Sequence, residues 1–393
     1  MDGTPPAELD YLLVGGGLAS SLIALALFQR RPTARVGLVE QQARVGGNHL
    51  WCFHAGDVAA AEDLVRPLVE QRWSGYDVQF PELSRRLDEP YAAVPSERLA
   101  RVVRDAFAER PHCQLLLGER AERVTATSVE LASGRHLTAQ VVIESRGPGA
   151  LPTHVGTGYQ KFVGLELELS RPSPLTQPML MDALVEQRDG FRFMYALPLA
   201  PDRVLLEDTY FSDTSTLDHE HLEAEIMAYA ACHGLAARGV ARREHGVLPL
   251  PISAPPMDEP APDEPLKAGY QGGWFHPVTG YSFPVAVRLA LAVAGCAPQD
   301  LRARVWPALL REQRSQMRFG VLLNRMLFTA FASDERHHAI SRFYRLPPAS
   351  IRRFYALNLT RTDRLRIVCG RPPRGFSLPR VLGSSRARGG ALA

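Results

Sequence analysis

Three successive glycines, Gly15, Gly16 and Gly17, close the apolar run 11–14 and open a longer apolar stretch, 18–28. A short run, 36–39, follows and ends on Glu40. Strand, tight turn, helix, strand and acid in this order form the βαβ unit that binds a dinucleotide. Gly15 takes the sharp turn. Gly17 lets the backbone approach a pyrophosphate at the helix start, with Leu18 and Ala19 in the first turn, where free N–H groups and the dipole favour an anion. Glu40, with Gln41 beside it, stands where a carboxylate accepts from a ribose hydroxyl. The third small position of the fingerprint is Ser20. A second glycine turn follows at Gly46, Gly47, Asn48 and His49. A third, at Gly280, Tyr281 and Ser282, opens an apolar helix running to about residue 297.

Acids form the second set. Residues 203–208 read as a strand, so Glu207 and Asp208 point to opposite faces and only one can enter a given pocket. Asp182 is either a second carboxylate near that pocket or a turn residue after Met181. His54 and His276 suit packing or backbone hydrogen bonds better than a base role. Five scattered cysteines without paired spacing argue against a zinc site or disulfide framework and fit a reducing compartment.

The elements that must hold these residues follow from the remaining pattern. Residues 11–28 lack charge over a length close to a membrane span. Three glycines inside a helix, at about 1 kcal/mol each against alanine, exclude that reading. With no basic flank and Asp10 adjacent, a secretory signal is not expected either. A net charge of +3 is too small to argue for nucleic acid. The reading is α/β (α+β): a discontinuous Rossmann-like cofactor domain over 1–157 and 268–300, with a β-rich substrate lobe, 158–267, inserted. A helical region, 301–370, and a mobile tail, 371–393, complete it. Around 306–331, leucines, methionines and phenylalanines alternate with Arg311, Arg314, Arg318 and Arg325. That surface either lies in a headgroup layer or packs on the protein's own core.

Taken together, these segments resemble the bacterial flavoprotein lycopene β-cyclases. The likeness runs through 10–21, Gly46 to His54, 158–164, 178–182, 206–210, 275–282, 323–328 and 342–346. Two positions depart from the family: Ser20, and Glu144 where Asp is usual. The resemblance implies FAD in its reduced form, NADPH as electron source, and lycopene or a related acyclic carotenoid as substrate. It implies a cytoplasmic enzyme peripheral to the inner face of the cell membrane, with other carotenoid-pathway enzymes as partners.

The implied reaction is an isomerisation of the ψ-ends to β-ionone rings. A proton reaches the terminal double bond, a neighbouring alkene attacks the cation, and a ring proton leaves. This needs a carboxyl kept protonated by an apolar pocket, and the family motif assigns that role to Glu207. Trp51, Phe53, Tyr195, Phe211 and Trp274 are candidates for aromatic faces toward a cation. An FAD-dependent monooxygenase or other redox flavoprotein is the alternative enzyme. A carotenoid- or flavin-binding protein without catalysis is the alternative of another class.

Overall fold

Residues 9–147, 157–253 and 257–377 are described by the computed structural model. Its first sheet runs Gln114–Leu117, Val36–Glu40, Leu9–Val14, His136–Glu144, Ser128–Leu131, Ala121–Val124. The first four strands are parallel, and the last two pair antiparallel. Buried on both faces, residues 11–14 of Leu9–Val14 read as a continuous apolar run rather than an alternating one. The helix Leu18–Arg30 is buried from Leu18 through Phe28, packed between this sheet, Ser96–Ala108 and Phe283–Ala294. Leu266–Lys267 returns to add a parallel strand beside His136–Glu144. Two distant stretches thus complete one layer.

The second sheet has the order Ala237–Leu250, Gly158–Leu169, Arg203–Ser212, Phe191–Ala200, Met179–Asp182, Tyr76–Phe80, Leu83–Leu87. Its last two strands come from within 1–157, the stretch read as purely cofactor-binding. The chain therefore visits the substrate lobe earlier than its composition indicated. Gln71–Trp73, Leu50–His54 and Tyr91–Pro95 form a small third sheet in the same region. The inserted strands are short, and polar residues fill their outward positions, so no long apolar period marks them. Leu266–Lys267 likewise belongs to the first sheet, although 158–267 was assigned to the lobe.

Arg203–Ser212 shows a clean two-residue period. Val204, Leu206 and Tyr210 pack beneath the helix His219–Cys232 with Leu222, Ile226 and Ala230. Glu207, Thr209 and Phe211 face the other way.

From Trp306 onward the chain is helical: Trp306–Ala330, His337–Phe343, Pro348–Tyr355 and Arg361–Val368. Buried Asp363 ties the last pair together, accepting from Ser350, Arg353 and Thr360. Arg353 and the capping hydroxyls hold its carboxyl well below the usual range. Among the described residues, no helix is long and apolar enough to cross a membrane. Residues 371–377, read as the start of a mobile tail, are instead packed. Phe376 lies edge-on to Phe331, and the Ser377 N–H bonds the Ala330 carbonyl. The remainder of that stretch, 378–393, lies outside the described residues.

Candidate active site

A cavity of about 1200 Å³ lies between the first sheet's carboxyl edge and the second sheet's inner face. At one end are the three glycine turns. Gly15 has φ +94°, and a Cβ there would sit 2.8 Å from the Arg146 nitrogen. A Cβ on Gly16 would meet Val45 Cγ1 at 2.7 Å, whereas one on Gly17 would project into open space. Gly17 is also the N-cap of Leu18–Arg30, with no side-chain cap and no acid in the first turn. An uncapped, positively polarised helix start facing a void suits a pyrophosphate.

Glu40 Oε2 accepts from the Gly16 N–H at 2.6 Å and Oε1 from the Gln42 N–H at 2.7 Å. It thereby fixes the turn, and its remaining lone pairs are left for a ribose. Ser20 has a use that the fingerprint does not supply. Its hydroxyl bonds that of Ser145, which donates in turn to the Gly15 carbonyl. Helix, glycine turn and strand end are thus joined. Opposite, Gly280 takes φ +64°, and the Tyr270 hydroxyl bonds its carbonyl. Two helices, Leu18–Arg30 and Phe283–Ala294, begin at this end of the cavity.

Gly15, Gly16, Gly17, Leu18, Ala19, Glu40, Gln41, Gly47, His49, Gly280, Tyr281 and Ser282 all line the cavity. Asn48 does not; its amide donates to the Arg243 carbonyl at 2.9 Å on an exposed surface. The donor set therefore fits a dinucleotide without Asn48.

Toward the other end the walls become aromatic: Trp51, Tyr91, Phe162, Phe193, Tyr195, Phe211 and Tyr355. Phe53, expected among them, is core and stacks on Phe283 at 4.4 Å. Glu207 enters this region from the middle of Arg203–Ser212. Tyr195 lies across from it in register and shares a 3.1 Å hydroxyl contact with Tyr91. Burial first, then the charge of Glu244, push the Glu207 carboxyl well above its ordinary range; Arg242 opposes them.

Asp208 is not a site residue. It points to the far face of the sheet, where Arg192 grips it through two 2.9 Å bonds and the Tyr210 hydroxyl adds a third at 3.1 Å. Asp182 also stands away from the cavity. It accepts from the Tyr229 hydroxyl at 2.8 Å and the Leu184 N–H at 3.1 Å, resolving the earlier choice in favour of a turn residue. His276 is structural as well. Its Nδ1 accepts from the Val278 N–H and its Nε2 bonds the Phe354 carbonyl, while burial pushes it down to about 3. His54 is buried, 3.5 Å from Asp57, whose carboxylate accepts from the Tyr281 hydroxyl at 3.0 Å.

The sequence reading did not single out Tyr91, Phe162, Phe193 and Tyr355 in the aromatic wall, nor, among the acids, Glu244. It lies in Ala237–Leu250, lines the cavity and is almost wholly buried. The available signal was Gly164, a glycine inside a long strand, which marks a close approach by other groups.

The family described as lycopene cyclase protein matches residues 10–381. The chain belongs to the lycopene cyclase family. This family member is 41% identical over 368 residues to the lycopene beta-cyclase of Pantoea ananas, covering 93% of this chain and 95% of that one. It is 40% identical to the lycopene beta-cyclase of Paracoccus sp. (strain N81106 / MBIC 01143), with 93% and 94% covered. Among solved structures, a geranylgeranyl bacteriochlorophyll reductase-like protein from Thermoplasma acidophilum superposes with TM-score 0.61 at 12% identity, covering 96% and 98%. A probable FAD-dependent monooxygenase from Pseudomonas aeruginosa gives 0.59 at 19% identity, covering 84% and 97%. The cyclase thus shares its fold with flavin-dependent and reductase-like proteins of other chemistry.

Proposed function

We propose that this chain is a lycopene β-cyclase, closing the acyclic ends of lycopene into β-ionone rings through γ-carotene to β-carotene. The observation that carries the reading is the carboxyl of Glu207, raised by burial within an aromatic wall. Family membership supports this over a monooxygenase, since the likeness to redox flavoproteins extends only to fold.

Gly15, Gly16, Gly17, Leu18 and Ala19 would hold the FAD pyrophosphate, Glu40 and Gln41 the ribose, and Gly280, Tyr281 and Ser282 the flavin side. FAD in its reduced form, with NADPH as electron source, would supply a fixed negative field without net oxidation or reduction of the substrate.

The protein's own part is proton transfer and exclusion of water. Glu207 gives its proton to the CH carbon of the terminal double bond, whose π electrons make the new C–H bond and leave a tertiary cation on the dimethyl-bearing carbon. The internal alkene closes the ring on the resulting cation. Loss of a ring proton leaves the ring double bond, so atoms and electrons balance without a co-reactant. Aromatic faces, Tyr195 and Trp51 among them, attract a cation and keep the site dry. Proton transfer of this kind contributes on the order of 10²–10⁴ in rate.

Access belongs to the same proposal. Arg311, Arg318 and Arg325 are exposed on Trp306–Ala330, and Leu322 and Leu365 are exposed beside them. A basic surface with protruding leucines suits peripheral attachment to an anionic leaflet, the inner face of the cell membrane.

Anaerobic incubation with lycopene liposomes and chemically reduced FAD, paired with an aerobic arm supplied with FAD and NADPH, both read by pigment chromatography, is the test. β-Carotene formed with reduced but not oxidised FAD, and no NADPH or oxygen consumed in proportion, is the expected result. Oxygenated product would instead favour the monooxygenase reading. Binding of pigment with no conversion would favour a carrier.

A further inference from the structure

Glu207 has a neighbour whose position follows from strand register. Gly164, in the middle of Gly158–Leu169, lies opposite Glu207 on one side and opposite Glu244 on the other. Both carboxylate side chains lean over the glycine from the flanking strands. A Cβ at 164 would stand 2.9 Å from Glu244 Cγ and 3.0 Å from Glu207 Cγ. No side chain larger than hydrogen leaves room for that convergence.

The two acids are supported unequally. Arg242 Nη1 donates to Glu244 Oε2 at 3.2 Å, while Arg242 Nε bonds Glu166 at 3.0 Å. Glu166 is itself held by Arg203. Glu244 Oε1 is buried with no hydrogen-bond partner among the described residues, and it lies 3.5 Å from the position of a Cβ at 164. Among the described residues Glu207 makes no ion pair, and Arg242 is the cation that bears on it. Other groups facing the pair are Tyr195, Tyr91 and Cys52, all raised by burial and hence neutral. His49, lowered first by burial and then by Arg242, is neutral too.

We propose that Glu244 and Glu207 share one proton across Gly164, with Glu244, anchored by Arg242, as the residue that keeps Glu207 protonated and draws the proton back onto it after each turnover. The inference rests on the acid role proposed for Glu207 and deepens it. At rest the pair carries one negative charge. When Glu207 protonates the alkene the pair becomes doubly negative beside a substrate cation, and Arg242 steadies Glu244. When the ring C–H bond breaks, its electrons form the ring double bond and the proton returns to the pair. The charge is restored, as an isomerase requires. Glu244 acts through Glu207 and is therefore a positioning residue.

The test reads proton binding directly. In full-length protein loaded with oxidised FAD and without substrate, infrared spectroscopy follows the carbonyl stretch of the protonated carboxyl against pH. Glu207→Gln should abolish this band. Removing the facing charge in Glu244→Gln should lower its midpoint by about one unit or more, a tenfold or greater change in acid dissociation. Gly164→Ala, which pushes the carboxylates apart, should move it the same way and serves if Glu244→Gln does not fold. The alkaline limb of the kcat profile should shift in parallel, with KM little changed. A midpoint unmoved in both variants overturns the shared proton. Undiminished cyclisation by Glu207→Gln, with the midpoint still moving in Glu244→Gln, would instead overturn the acid role while leaving the pair intact.

Discussion

Adjacent acids on Arg203–Ser212 have opposite fates. Asp208 faces the helix-covered side, fully buried, bound by Arg192 and Tyr210, with Glu225 completing the cluster on Arg192. Glu207 faces the cavity, with aromatic neighbours, a second carboxylate and no cation of its own. One side chain is matched by a cation and a hydroxyl; the other keeps a carboxyl raised by burial, as the proposed acid role requires. Identity of residue type therefore says less about chemistry than which face of a pleated strand carries it.

This contrast breaks most sharply at its reactive side. Glu207→Gln should reduce turnover on the order of 10²–10⁴ or more, measured by pigment chromatography, while FAD absorbance stays unchanged. Because the folded carboxyl is raised, the native state binds more protons than the unfolded one between the unfolded and folded pKa values. Stability therefore falls as pH rises through that window. The amide variant should lose this slope in urea titrations and be no less stable than wild type at neutral pH. Wild-type cyclisation should likewise decline as pH rises through the folded pKa of Glu207.

On the inert side, Asp208→Ala leaves the Arg192 charge buried and unpaired by Asp208. A destabilisation of about 3–5 kcal/mol is expected in denaturant unfolding. The soluble fraction should still protonate substrate, so specific activity per folded, flavin-bearing molecule should hold. Gly15→Ala tests the cofactor end. Its Cβ would collide with the Arg146 backbone at a positive φ, so flavin content should drop severalfold with the second sheet's circular dichroism retained. The smallest effect belongs to Asp182→Asn. Loss of charge at the Tyr229 contact should cost about 1 kcal/mol with kcat unchanged.

The cofactor end was legible because each of its signals is local. A glycine triplet, a following helix and an acid lie within about one βαβ unit, where backbone chemistry alone restricts the residues allowed. The strand period at 203–208 likewise separated Glu207 from Asp208, but not which side held the cavity, since that depends on where His219–Cys232 packs. Asn48 looked as good as its neighbours Gly47 and His49 because a loop has no period to orient it. Glu244 was invisible for a different reason. Its meeting with Glu207 needs three strands in register across eighty residues of chain, and only the empty position at Gly164 hinted at it. The hairpin of Tyr76–Phe80 and Leu83–Leu87 escaped notice because the strand that joins it to the sheet, Met179–Asp182, lies about a hundred residues downstream.

Leu266–Lys267 and Phe283–Ala294 finish a layer begun at Leu9, which has a bearing on how the chain matures during synthesis. An emerging polypeptide exposes the oily Leu18–Arg30 segment long before its covering helix leaves the ribosome. Closing so wide a loop is slow, and exposed apolar surface invites misassembly. The proposed flavin site is complete only after some three-quarters of translation, so late cofactor loading would be the natural checkpoint on a correctly assembled product.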